Sequence, residues 1–132
     1  MSPKQHRTKP GNRMSARSRR QVAEKYLEVA ELMADEDGAA VNVCVGTAIL
    51  AGIAAGDAIC LAATGERYAG PDHAAAADLL GRVDRELGKQ LRTLVQLKDA
   101  AHYGDRLLST TDRDRALRQA TALVGAARDR TV

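Results

Sequence analysis

At 132 residues the chain is long enough for a single domain, with one core that buries about two-thirds of the unfolded surface. Trp and Phe are absent and Tyr26, Tyr68 and Tyr103 are the only aromatic residues. The core must therefore be built from Ala, Leu, Val and Ile, which favours close-packed helices and argues against a β-sandwich. No stretch alternates apolar and polar residues cleanly, and no Asn-Gly or Asp-Gly pair marks a hairpin, so no strand is predicted.

The formal net charge of +3 is unevenly spread. The first 20 residues hold Lys4, Arg7, Lys9, Arg13, Arg17, Arg19 and Arg20 and no Asp or Glu, leaving 13 basic against 17 acidic residues in the remainder. This reads as a basic arm on a mildly acidic body, divided as residues 1–17 and 18–132. The arm lacks the apolar segment of a secretory leader. Its Pro, Gly, Ser and Lys/Arg content predicts disorder to about Ser15. Such an arm can neutralise RNA phosphates without sequence readout, since it holds no aromatic residue to stack on bases. The competing reading is a solubilising tail.

A first helix is predicted from about Ser18 to Ala34, with Val22, Tyr26, Val29, Ala30 and Met33 inward and Glu24, Glu28 and Glu31 in water. The next, about Ala39 to Ala63, reads AAVNVCVGTAILAGIAAGDAICLAA and is apolar nearly all round. It is long enough to span a bilayer, and Gly52 and Gly56 form a G-x-x-x-G pair. Asp57 inside it, Asn42 near its start and its weak Ala/Gly hydrophobicity favour instead a central core helix in a chain with no membrane role. Cys44 and Cys60 both lie on this helix, about 24 Å apart along its axis at the standard rise, which is beyond disulfide reach. They read as small core residues in a reducing, cytoplasmic setting.

Gly65 is expected to stop that helix in the left-handed conformation, with Gly70-Pro71 opening the next. Leu79, Leu80, Val83 and Leu87 form a seam that Leu91, Leu94, Leu97 and Ala101 continue, with a kink expected between about Gly81 and Gly88. A last helix opens at Ser109 to Thr111, where Thr111 and Asp114 have capping-box spacing, and points Ala116, Leu117, Ala120, Leu123, Val124 and Ala127 inward. The predicted fold is all-α, an up-and-down bundle of four to five helices with a buried central helix.

Chemistry-bearing residues are few. No phosphate-binding glycine loop, nucleophile elbow or His/Cys/Asp/Glu spacing for a metal is present, and no cofactor is implied. The segment LVQLKDAAHYG, residues 94–104, is the distinctive one. Lys98 and His102 are four residues apart on one side of a helix, with Asp99 and Tyr103 beside them. A cation and an imidazole together can stabilise phosphate charge and move a proton. The same residues can also end a helix, with Gly104 as its left-handed terminator. Arg92 and His73, the latter in Pro71-Asp72-His73, are further candidates for binding. Asp57 requires a cation, expected to be Lys98 or Arg92.

The Ala-rich second helix, the His73 opening and Leu97-Lys98-Asp99-Ala100-Ala101-His102-Tyr103 together resemble the HEPN superfamily. The closer likeness is to small prokaryotic members that pair with minimal nucleotidyltransferases. It runs over about residues 20–130. The resemblance implies a helical bundle, often dimeric, that works on or near RNA in toxin–antitoxin or related systems. The family's ribonucleases carry Arg, a polar residue, and His after four to six intervening positions. Here Lys98 replaces Arg and only three residues intervene between it and His102. Arg67 and His73 match the spacing but straddle a loop. These departures point to a non-catalytic or degenerate member that binds RNA or a nucleotidyltransferase-like partner. The alternatives are a purely structural dimerisation module or a metal-independent ribonuclease using His102.

Overall fold

Glycine and alanine decide how closely these helices approach. In the computed structural model, which describes residues 7–132, the chain runs β1 (Thr8–Pro10), α1 (Arg13–Leu32), α2 (Ala39–Thr64), β2 (Glu66–Tyr68), α3 (His73–Val83), α4 (Arg85–Val95), α5 (Lys98–Tyr103) and α6 (Thr110–Arg130). The protein is a predominantly α-helical bundle, as expected. Helix α2 is its axis: α1 and α6 run along it, and α3, α4 and α5 close further sides. Val45, Ile49, Ile59 and both cysteines of α2 are buried. The cysteines are free thiols, and Cys44 Sγ donates to Ala30 O at 3.3 Å.

Gly52 and Gly56 let neighbours reach the α2 backbone. A Cβ on Gly52 would run into Leu94 and stand 3.2 Å from Leu123, and one on Gly56 would stand 3.1 Å from Leu91. Each glycine costs about 1 kcal/mol of helix propensity. Burying one leucine returns about 1.5–3 kcal/mol, so close approach is the favoured arrangement. Of the helices built from described residues, α2 alone is long and apolar enough to cross a membrane, and 78% of its most apolar window is buried within the fold.

Several expectations are corrected. Although no strand was expected, β1 and β2 pair antiparallel with Thr8 opposite Tyr68. Three-residue strands are too short to leave an alternating pattern. Among the described residues, Thr8–Pro10 is a strand and α1 begins at Arg13, so order begins before Ser15 and before residue 18. Gly11 N–H bonds Gly65 O at 2.9 Å, and Asn12 with Ser15 forms a capping box that starts α1 at Arg13. Lys4 lies outside the described residues. Helix α1 buries Ala16, Ala23, Leu27 and Ala30, while Val22 and Val29 face out. Three alanines let α1 settle against α2 more closely than a valine stripe would.

The anticipated break within 81–88 falls at Asp84, whose carboxylate caps α4 by accepting from the N–H groups of Glu86 and Leu87. A second break at Gln96–Leu97, not anticipated, separates α5. Gly65 is left-handed as expected (φ 78°), but Gly104 is extended (φ −70°, ψ 145°). The capping box of α6 is Ser109 with Asp112, not Thr111 with Asp114. The inward positions of α6 are as predicted, with Leu117 only partly buried.

Helices α3 and α4 meet backbone to backbone. A Cβ on Gly88 would strike Gly81 Cα and lie 2.7 Å from Gly81 N, whereas one on Gly81 would be 3.8 Å from Gly88 Cα. Gly88→Ala is therefore expected to destabilise by about 1–3 kcal/mol. Gly81→Ala should be neutral or stabilising by up to about 1 kcal/mol through helix propensity. Urea midpoints of the two variants check the contrast, and equal midpoints would contradict the contact.

Candidate functional site

The turn after β2 and the break between α4 and α5 bring two distant stretches of chain together. Asp72 caps α3 by accepting from Ala74 N at 3.0 Å, which places His73 at the first position of that helix. Arg92 lies in the last turn of α4, and Lys98 opens α5. Together with Pro71, Val95, Gln96 and Asp99 these residues line a cleft of about 330 Å³. Four of the six residues singled out from the sequence, His73, Arg92, Lys98 and Asp99, thus share one site. His73 starts α3 and is partly exposed; the sequence did not show which residues stand near it, because their closeness depends on tertiary packing.

The lining of the cleft carries two cations, Arg92 and Lys98, and two carboxylates, Asp72 and Asp99. Arg92 pairs with Asp78 of α3, and both side chains are about half exposed (45% and 50%), so this surface pair stabilises little and leaves other guanidinium donors open. His73 is half-buried. Its burial and then the Lys98 ammonium push its imidazole below the ordinary value of 6.5, with Asp72 pulling the other way. An imidazole held toward its neutral form can accept a proton or coordinate a polar group, while Arg92 and Lys98 offer donors to an anion against the opposing charge of Asp72 and Asp99.

The other two candidates are placed differently. Lys98 is at the start of its helix, not in a final turn as read from the sequence, while His102 is in the last turn of α5. His102 and Tyr103 do not line the cleft. The His102 ring covers α2 at Gly46, where an added Cβ would come within 2.9 Å of Cε1. Its ring centroid lies 6.1 Å from that of Tyr103, itself 79% exposed. Gly46 is thus the seat of the His102 ring, a relation no sequence motif signals.

Asp57 finds its cation in Arg19, at 3.1 Å, not in Lys98 or Arg92. The expected partners are on α4 and α5, whereas Asp57 faces the side where α2 meets α1. Burial raises its carboxyl above the ordinary value, against the pull of Arg19 and Arg67. Arg19 and Arg67 also line a separate cavity of about 470 Å³ with Lys9, Asn12, Ser15 and Ser18. Of the cations assigned to the arm, Arg20 pairs with Glu24 at 3.1 Å and bonds Thr131, so it is structural. Among the described residues no group of three or more His, Cys, Asp or Glu side chains is arranged to hold a metal ion. No protein-family model matches this chain, and no curated protein matches it.

The depressed His73 titration predicts a stability slope with a definite sign. The unfolded chain binds a proton at about 6.5 and the folded chain only at lower pH, so folding is opposed by acid. Stability should fall as pH drops below about 6.5 and level off below the folded value. His73→Asn should remove that part of the slope in urea titrations between about pH 7 and pH 4, set against the reference value of 6.5. An unchanged slope in the variant would show that the cleft does not perturb His73.

Proposed function

We propose that the protein binds RNA, with the α3–α4–α5 cleft gripping a backbone phosphate. The observation that carries this reading is the meeting of Arg92, Lys98 and a half-buried His73, from three different helices, around one cleft. Arg92 offers planar donors and Lys98 a point charge, the two ways side chains hold phosphate oxygens. Exposed Lys9, Arg13 and Arg17 add sequence-independent attraction. The HEPN resemblance supports the same substrate class and a place in a toxin–antitoxin or related cytoplasmic system, alone or with a nucleotidyltransferase-like partner. Two buried free thiols suit a reducing compartment.

A second reading, metal-independent RNA cleavage, is favoured by one observation: an imidazole held toward its neutral form by burial and Lys98, in the cleft that Arg92 also lines. In that reading His73, not His102, takes the proton from the 2′-hydroxyl, whose oxygen bonds to phosphorus as the P–O5′ bond breaks. The product is a 2′,3′-cyclic phosphate, water protonates the leaving 5′-oxygen, and Arg92 and Lys98 stabilise charge on the phosphate.

Fluorescence anisotropy with a labelled single-stranded RNA, titrated over a range of salt, tests the binding reading. Lys98→Ala and Arg92→Ala are each expected to weaken binding about tenfold at low salt, the scale of one charge-assisted hydrogen bond. Each should also reduce the salt slope by about 0.7, one phosphate contact on a single strand. Affinity and slope unchanged in both variants would refute the cleft as the RNA site. Cleavage of the same RNA in EDTA, lost in His73→Ala and kept in His102→Ala, would select the second reading.

A further inference from the structure

The two-stranded ribbon sets two cations side by side. Lys9 of β1 and Arg67 of β2 are direct partners in the antiparallel register, which holds their Cβ atoms about 4.5–5.5 Å apart on one face. Backbone bonds on either side of the pair, Ala69 N–H to Arg7 O and Gly11 N–H to Gly65 O, both 2.9 Å, fix that register. Like charges directly opposite one another destabilise a ladder. Neither side chain has a carboxylate partner among the described residues. The nearby Glu66 belongs to the other face, where it accepts from Thr8 Oγ1 at 3.0 Å.

Both cations line the cavity of about 470 Å³ where the ribbon meets the start of α1 and the end of α2. Arg19 lines it too, with its charge offset by Asp57 at 3.1 Å. Arg67 also pulls on that carboxylate, and no Asp or Glu is in the lining itself. Three cations against the ionised Asp57 leave the cluster a net charge of +2. The remaining wall is mixed. Ser18 offers a hydroxyl, while Pro10, Leu61 and Met14, the last 75% exposed, are apolar.

We propose that this cavity binds a small phosphomonoester, its terminal phosphate seated between Lys9 and Arg67 and its organic part against Pro10, Met14 and Leu61. Charge decides the class of ligand. A terminal phosphate carries nearly two negative charges above its second pKa of about 6, which matches the cluster, whereas a backbone phosphodiester carries one. Size agrees, because sites for small molecules run from about 300 to 1,000 Å³, which leaves room beside the phosphate for an organic group. The bound phosphate supplies the counter-charge that the Lys9–Arg67 pair lacks and fastens the ribbon to α1 and α2. The inference is independent of the RNA reading, since this cavity shares no lining residue with the α3–α4–α5 cleft.

Isothermal titration calorimetry of the full chain tests it, at low salt and about pH 8, where a phosphomonoester is a dianion. The probes are phenyl phosphate and the monoanionic diester dimethyl phosphate. Phenyl phosphate is expected to bind at least about tenfold more tightly than dimethyl phosphate, the scale of one charge-assisted hydrogen bond. Lys9→Ala should weaken phenyl phosphate binding about tenfold, and Lys9→Arg should retain it. Arg67→Ala should weaken it at least as much, and Lys98→Ala, in the other cleft, should leave it as in the wild type. Arg67 also bonds Tyr68 O at 3.1 Å, so Arg67→Ala can disturb the ribbon. Lys9 is exposed and unpaired, and its variants, checked by circular dichroism, keep the test decisive. Failure of phenyl phosphate to bind, equal affinity for the two probes, or a loss that follows Lys98→Ala and not Lys9→Ala overturns the inference.

Discussion

The need to enclose α2 governs the rest of the molecule. Sixteen of its 26 residues are buried, and they include a carboxylate that can be neither solvated nor left alone. Without phenylalanine or tryptophan, enclosure cannot come from a few large side chains. It comes from backbones brought close: Ala23 and Ala30 of α1, Gly52 and Gly56 of α2, and Ala116, Ala120 and Ala127 of α6, all buried. Short side chains lose little rotamer entropy when fixed, which suits a core made from many small contacts. Asp57 then sets the rotation of α1, because only one side of that helix brings Arg19 to it.

The same economy builds the cleft. Gly81 and Gly88 let α3 and α4 lie nearly in contact, so the start of α3 and the end of α4 approach at one edge of the bundle. His73 and Arg92 therefore line one cleft through backbone geometry that neither residue determines. The break at Gln96–Leu97 redirects the chain and adds Lys98. Each ingredient is a packing decision, and the chemistry at the cleft follows from them.

What could be read from the sequence divides along that line. The continuous apolar run at 39–63, Gly65 as its terminator, and the buried positions of α6 follow from local pattern and were legible. The inward face of α1 was legible only in part: Ala30, Tyr26 and Met33 do pack inward, but Val22 and Val29 face out, because alanines win where helices must approach closely. The two strands were hidden because pairing Thr8–Pro10 with Glu66–Tyr68 depends on contacts almost sixty positions apart. Arg92, His73, Lys98 and Asp99 were identifiable as residues of interest, but their grouping was not. Motif spacing favoured Lys98 with His102, whereas the fold puts Lys98 with His73.

Helix α5 is held in an unusual way. None of its six residues is buried; beside the partly buried Ala100 and Ala101 and the His102 ring on Gly46, one amide ties it down: Asn42 Nδ2 donates to Ala100 O at 3.3 Å, and Asn42 Oδ1 accepts from Leu108 N at 2.8 Å. The segment 98–108, tied to α2 at those two bonds, has few buried contacts and so opens as a small unit at lower cost than the bundle. Its opening carries Lys98 and Asp99 away from the cleft while leaving His73 and Arg92 on their rigid pair of helices. The charge of the site is thus tied to a local order–disorder equilibrium in one short helix. A bound anion that draws Lys98 inward would stabilise that helix by its own binding free energy, so occupancy of the cleft would be reported in the amide protection of residues 98–103.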